Sequence, residues 1–285
     1  MTLISVLLVF ALEFYFKWGS KYRKFNWFEQ YQSKIVQALG EQSFFYGWTK
    51  VWIVLLLPVL LLYLFINLFD GGLYALIMFI MSCGVLFLSL GPKPLNETFN
   101  AYFLALDRGD SEAAFLCLKQ ESLLDGLPQS EELVRDATRA ILTESQSRYF
   151  GVLFWFIFLG PFGALIYRLA HEYRKLCLLA EDETQTDLIA KVLHWFDWAP
   201  ARLTSILFLL GGDFVNGFNR VRDYFTDTTA SSRLIICETG MAALNADMRA
   251  SNGDVQENKD ALAMVDRTVI IYLVVTAALT PLAFW

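Results

Sequence analysis

The chain has 285 residues, 56% of them hydrophobic, and a formal net charge of −6. Its mean hydropathy of +0.43 lies well above that of an ordinary soluble domain, which excludes a purely water-soluble globule. Acidic residues outnumber basic ones, 29 to 23, and this argues against nucleic acid as a partner, which requires a concentrated basic face.

The first apolar stretch, residues 3–16, carries Glu13 and is short for a membrane crossing. No basic region precedes it and no small-residue cleavage motif follows, so it reads as a marginal membrane helix rather than a cleaved signal. A helix buried against the other spans is the alternative. Glu13 is the one acid well inside an apolar stretch, which makes it a candidate for function or for a helix-end position. Residues 17–49 hold Lys17, Lys21, Arg23, Lys24 and Lys34 against only Glu29 and Glu41, and the positive-inside rule assigns them to the cytoplasm.

Residues 51–66 contain no charge and no Asn, Gln, Ser, Thr or Gly. A helix of a soluble domain shows one polar face to water, and this run has none. Asp70-Gly71-Gly72 ends it, and a second apolar stretch, residues 73–90, follows at once. Two helices of about 18–20 residues, at ~1.5 Å per residue, match the ~30 Å hydrocarbon core. The pair is a transmembrane hairpin.

Residues 92–148 then lie in the cytoplasm and read as helices: 97–107, a Gly109-Asp110 turn, 111–124, and a third from Ser130. Ser130 is a good N-cap, Glu131 and Glu132 suit the first turn, and the helix has no evident stop before the fourth apolar segment. That segment, residues 150–169, is broken by Gly160-Pro161-Phe162-Gly163, where a kink or a pair of half-helices is expected. The last, residues 268–285, carries no charge after Arg267 and reads as a terminal anchor. Trp48, Trp52, Trp155 and Trp285 fall at or near span ends, as interfacial aromatics do. The fold class is therefore all-α: a polytopic helical membrane protein with four to five membrane segments and helical polar loops. Its parts are a marginal N-terminal helix with a basic segment (1–49), the hairpin (50–91), a polar helical segment (92–148), the broken helix (149–170), a second polar helical region (171–266) and the anchor (267–285).

Residues 171–266 pose a topological conflict. A single crossing by 150–169 puts them outside, whereas Arg168, Arg174 and Lys175 vote for inside. Three resolutions are open: the broken segment is re-entrant, residues 203–210 dip into the membrane, or the first helix does not cross.

Phosphate-loop, dinucleotide, zinc-protease and nucleophile-elbow signatures are all absent. With two histidines, His171 and His194, a histidine-rich metal site is excluded, although His194 and Asp197 have pairing distance on a helix. Cys83, Cys117, Cys177 and Cys237 are far apart and read as buried or free thiols. The densest pattern runs from Asp197 to Thr204. Pro200 fits the first turn of a new helix, and Arg202 carries a planar donor fork suited to a phosphate or carboxylate. Pairing with Asp197 or a lipid headgroup is the structural alternative for Arg202.

Residues 198–205, WAPARLTS, resemble the I-P-A-R-L-T-A signature of the CobD/CbiB family, the adenosylcobinamide-phosphate synthases. Residues 159–168, LGPFGALIYR, are similar to its G-G-P-P-G-A-L-x-Y-R stretch, and residues 96–114 to the hairpin before x-x-A-L-x-x-G-D-L-x-x-A-R. The three matches keep the family's order. The departures are equally specific. The synthases' A-E-N-x-x-D-G corresponds to Ser145-Gln146-Ser147-Arg148-Tyr149-Phe150-Gly151. Their D-D pair corresponds to Leu193 and His194, and the Asn of N-x-x-P-A-R to Asp197. Such acids hold Mg²⁺ in phosphate chemistry. The pattern F-W…G-P-x-G followed by L-H-W-x-D-W-x-P-x-R-L, here Phe154-Trp155, residues 160–163 and residues 193–203, resembles the AmpE branch of this family.

That resemblance implies a non-enzymatic regulatory or sensory protein of the bacterial inner membrane, linked to β-lactamase induction and to the neighbouring AmpD amidase. The expected ligand is small and anionic, cell-wall-derived or a nucleotide, in a groove between the broken helix and Arg202. Arg202 holds it, Asp197 orients it, Pro200, Pro161 and Gly163 shape the pocket, and Arg168 lies beside it. No catalytic residue, metal or cofactor is assigned. An amide ligase like the synthases is the alternative, and a small-molecule transporter the third.

Overall fold

The computed structural model describes residues 2–16, 25–39, 47–69, 71–91, 93–121, 123–124, 132–225, 230–244 and 255–279. All secondary structure among them is helical. The helices are α1 (Thr2–Phe16), α2 (Asn26–Leu39), α3 (Trp48–Ile66), α4 (Gly71–Ser89), α5 (Leu95–Thr98), α6 (Asn100–Asp107), α7 (Ser111–Gln120) and α8 (Leu133–Ser145). A π-helical turn, Gln146–Phe150, leads into α9 (Gly151–Leu179), α10 (Glu183–Gly211), α11 (Phe214–Phe225), α12 (Ser232–Ala243) and α13 (Gln256–Leu279). Among the described residues four stretches are long and apolar enough to cross a bilayer: Trp48–Ile66, Gly71–Ser89, Leu133–Leu179 and Gln256–Ala278. The protein is an all-α, multi-pass membrane protein.

The chain divides into two compact units, each discontinuous in sequence: Met1–Pro92 with Gly151–Asp197, and Lys93–Phe150 with Trp198–Trp285. In the first, α9 packs on α3 and α4, and α1 packs on α4. The inner face of α1 is Ser5, Val6 and Val9, and its outer face exposes Ile4, Leu7, Leu8 and Leu12. It is thus an apolar helix lodged against other spans, and its apolar run Leu3–Leu12 is too short to cross alone. The Glu13 side chain lies outside the described residues, as do Lys17, Lys21, Arg23, Lys24, Glu41, Ser130, Glu131 and Trp285. The core of this unit joins Phe28, Val51, Val54 and Leu55 to Leu169, Ala170, Tyr173, Cys177, Ile189, Val192 and Leu193. The N-terminal half of α3 is therefore packed by protein, whereas Leu60, Leu61, Leu64 and Phe65 in its second half are exposed apolar side chains that only hydrocarbon suits.

The break expected in the fourth apolar segment is present and is a reversal. Gly160 has φ 65° and ψ −151°, outside the helical region, and splits α9 into a leading leg, 151–159, and a returning leg, 161–179. In a straight helix Trp155 and Gly163 would be ~12 Å apart. Instead, a methyl group added at Gly163 would overlap the Trp155 carbonyl oxygen and come within 2.6 Å of Leu159 Cβ. Further from the turn, a methyl at Gly151 would overlap the Tyr167 ring, sixteen residues on. The two legs lie side by side. Glycine is needed at 160 for its positive φ and at 163 for the close approach of the backbones.

In the second unit α8 is the central element, flanked by α12 and α13. A buried asparagine ties three helices. Asn258 Nδ2 donates to the Val134 carbonyl and to Thr138 Oγ1, each at 2.8 Å, and its Oδ1 accepts from Tyr102 at 2.9 Å. Burial, aided by the nearby Glu257 carboxylate, pushes the Tyr102 phenol well above its usual range, which keeps it a donor. The Gly109-Asp110 turn forms as expected, with Gly109 at φ 75° and Asp110 accepting from the Ala113 amide at 2.9 Å to cap α7. Among the described residues the third polar helix begins at Leu133, and helical structure continues through the π turn into α9.

Gly163→Ala is expected to destabilise the protein by about 1–3 kcal/mol, because the new methyl meets backbone that cannot step aside. Gly84→Ala in α4, where nothing lies within 4 Å of the added methyl, is expected to lose nothing. Thermal unfolding of the detergent-solubilised variants reads the difference.

Candidate functional site

Proline at position 200 cannot donate to the carbonyl four residues earlier. It does not open a helix, as its sequence context suggested, but lies inside the 29-residue α10. The carbonyl it strips of a partner is that of Phe196, and the indole N–H of Trp155 donates to it at 3.1 Å. Trp155 is therefore a structural donor inside the first unit, its ring 5.5 Å from that of Phe196. The signal in the sequence was the pairing of an in-helix proline with an aromatic donor elsewhere, which spacing alone does not reveal.

Beside it the returning leg carries a polar cluster. Tyr167 donates to Asp197 Oδ1 at 2.6 Å, and His171 Nε2 stands 3.7 Å from the same oxygen. The His171 ring meets Tyr167 edge-on with centroids 4.7 Å apart. Asp197 thus faces Tyr167 and His171 of α9, while His194 lies edge-on to Trp195. Next to Tyr167, the buried Arg168 pairs with Glu172 and lies over the Phe25 ring at 5.5 Å. Pro161 begins the returning leg and Gly163 seats it against Trp155. Four of the residues singled out by sequence, Asp197, Arg168, Pro161 and Gly163, accordingly fall in the first unit.

Arg202 and Pro200 belong to the second unit. Arg202 is only 7% exposed. Its side chain lies back along α10, donating to the Trp198 carbonyl at 3.1 Å with the guanidinium 4.1 Å from the Trp198 ring centroid. Trp198, Arg202 and Ser205 have i, i+4, i+7 spacing and share one helical face. Trp198 Nε1 and Ser205 Oγ are buried with no partner among the described residues. Asp197 and Arg202, five residues apart, are rotated by about 140° around the helix and leave it in different directions.

The π turn, notable in the sequence only as a departure from the synthase pattern, carries two buried polar side chains, Gln146 and Arg148. Gln146 Oε1 accepts from Thr204 at 2.6 Å, while Gln146 Nε2 is buried without a partner among the described residues. Arg148 is held by Glu144 at 2.7 Å, by the Lys93 carbonyl at 2.9 Å and by Thr98 Oγ1 at 2.8 Å. The i, i+4 spacings of Glu144–Arg148 and Arg168–Glu172 were legible as pairs. An open cavity of about 860 Å³ in the same unit is lined by Gly212, Asp213, Phe214, Asp260 and Arg267, among others. None of the residues singled out by sequence is among its described lining.

The family model described as regulatory signalling modulator protein AmpE matches residues 1–283. The chain belongs to the AmpE family. It is 23% identical to Protein AmpE of Shigella flexneri over 291 residues, 98% of each chain. It is 28% identical to the cobalamin biosynthesis protein CobD of Stutzerimonas stutzeri over 58% of this chain and 55% of that one. The corresponding protein of Chromobacterium violaceum is 28% identical over 49% and 46%. No solved structure matches. AmpE membership makes this a regulatory membrane protein, and the CobD relatives place the P-A-R-L-T resemblance within a wider kinship.

Trp155→Phe is expected to cost about 1–3 kcal/mol by leaving the Phe196 carbonyl unpaired. In a Pro200→Ala background the restored amide takes that carbonyl, so the Trp155→Phe penalty is expected to shrink. A thermal-stability double-mutant cycle measures it.

Proposed function

We propose that this AmpE-family protein resides in the bacterial inner membrane and modulates β-lactamase induction by binding a small anionic ligand at the Arg202 face of α10. The observation that carries the reading is the composition of that face. A buried permanent cation stands on the same helical stripe as two buried polar groups, Trp198 Nε1 and Ser205 Oγ, that have no partner among the described residues. Unspent buried polar groups are uncommon in native folds and cost free energy until something bonds them. A phosphate or carboxylate, as on a nucleotide or a cell-wall fragment, matches the guanidinium fork and those donors.

Asp197 takes a positioning part, holding Tyr167 and the returning leg of α9 in place. Arg168, Pro161 and Gly163 shape the same leg. A functional tie to the AmpD amidase belongs to this reading, since an amidase acting on wall fragments would alter the supply of such a ligand. The kinship with CobD proteins supports one second reading, a corrinoid amide ligase, whose signature would be nucleotide-dependent amide formation by the purified protein.

In a host with an inducible β-lactamase, deletion of the gene is expected to change induction, and the wild-type gene to restore it. Arg202→Ala is expected to fail to restore it at normal membrane abundance, with Arg202→Lys intermediate because it keeps the charge and loses the fork. Unchanged induction on deletion would sever the link to β-lactamase control.

A further inference from the structure

The reversal at Gly160 decides on which side of the membrane the second polar region lies. The returning leg runs antiparallel to α3, and two contacts fix its ends. Near the turn, Phe162 meets Tyr63 with ring centroids 6.0 Å apart, close to where α3 ends at Ile66. At the other end, Asp182, just past Leu179, pairs with Lys50 at 3.7 Å, at the start of α3. Between them Leu169, Ala170, Tyr173 and Cys177 share a core with Val51, Val54 and Leu55. The leading leg comes back the same way, since Gly151 lies beside Tyr167 rather than beyond the turn. Both legs therefore open toward the Lys50 end of α3. At the tip, Phe158 and Leu159 are 68% and 55% exposed, apolar side chains continuous in character with the exposed second half of α3.

We infer that the fourth apolar segment is a hairpin inserted into the bilayer from one side, its tip in hydrocarbon, so that residues 171–266 lie on the same side as residues 17–49, the cytoplasm. Lys50 is the last charge before α3 enters the membrane, and Asp182 is held at its level. Among the described residues between 183 and 255 no helix is long and apolar enough to carry the chain across. Arg168, Arg174 and Lys175 then agree with the positive-inside rule instead of opposing it. Both glycines have a reason within this geometry, because a chain that turns back inside lipid must close its own backbone against itself. One consequence rests on the ligand reading given above: an anion reaching Arg202 comes from the cytoplasm, so it is a soluble fragment or nucleotide and not the polymeric wall.

The test is labelling of single introduced cysteines with a membrane-impermeant maleimide, in spheroplasts and in inverted vesicles. The unsubstituted protein gives the baseline. Cys177 and Cys237 are buried, and burial pushes the Cys237 thiol up to about 12, so neither competes for the reagent. Glu183→Cys is expected to label only in inverted vesicles, together with Lys34→Cys, while Asn67→Cys, between α3 and α4, labels in spheroplasts. Phe158→Cys is expected to stay unlabelled in both. Glu183→Cys following the Asn67→Cys pattern would overturn the inference, as would labelling of Phe158→Cys in inverted vesicles. Lys191→Cys, exposed on α10, reports the same side should Glu183→Cys fail to accumulate. Induction of β-lactamase does not enter the readout, so failure here and failure of the regulatory reading are separable.

Discussion

A backbone carbonyl buried away from water that loses its helical partner must find a side-chain donor or remain unsatisfied, at a cost of several kcal/mol. Among the described residues Pro58 and Pro200 each create that situation, and each time a donor from another element answers it. Pro58 inside α3 frees the Val54 carbonyl, and the Tyr31 hydroxyl of α2 lies 3.4 Å from both that oxygen and the Ile53 oxygen. Burial pushes the Tyr31 phenol up to about 12, so it keeps the proton it must give. Pro200 frees the Phe196 carbonyl, and Trp155 supplies the indole N–H. Because each donor is remote in sequence, each proline also acts as a locating device: one fastens α2 to α3, the other fastens the leading leg of α9 to α10.

The second of these fastenings has a precondition. Trp155 reaches α10 only because the chain reverses at Gly160, and the legs close only because Gly163 has no side chain to strike the Trp155 carbonyl. Gly160, Pro161, Gly163, Trp155 and Pro200 thus serve one structural purpose. Trp155 and the Gly160–Gly163 turn come from one of the motifs by which the chain resembles AmpE proteins, F-W…G-P-x-G, and Pro200 comes from the other, W-x-P-x-R-L. This narrows what those motifs say about function. Backbone satisfaction explains Trp155 and Pro200, and the close return of the chain explains Gly160 and Gly163, while Arg202 is held against Trp198 along its own helix.

Much of the fold was legible because bilayer physics is coarse. A run without polar residues, such as 51–66, has few fates, and α3 and α4 formed where hydropathy put them. The break at residues 160–163 was legible too, since Gly-Pro cannot continue a regular helix. Its angle was not. Whether a Gly-Pro break bends by a few degrees or folds back depends on what the legs pack against, here Tyr167 over Gly151 and Phe162 on Tyr63, and such long-range pairings have no local signature. Pro200 misled for a related reason. Proline is common at a helix start, and only a donor supplied from forty-odd residues away makes it tolerable in mid-helix. The π turn was invisible because its residues, Gln146 to Phe150, have no distinctive pattern beyond being polar before an apolar run.

The charge at that π turn carries the argument furthest on how this protein stands to its cobalamin-related kin. Between the two positions where the synthase pattern has acids, here Gln146 and Phe150, Arg148 lies buried among Glu144, the Lys93 carbonyl and Thr98. The arginine does structural service, pinning residues 93–98 to α8, and the adjacent acid is spent on it. A divalent cation brought to this place would meet a permanent positive charge and a carboxylate already paired with it. Arg202 belongs to the P-A-R-L-T phrase that the synthases share, so the departure that alters the charge of this element is the absence of carboxylates at 146 and 150 beside a buried Arg148.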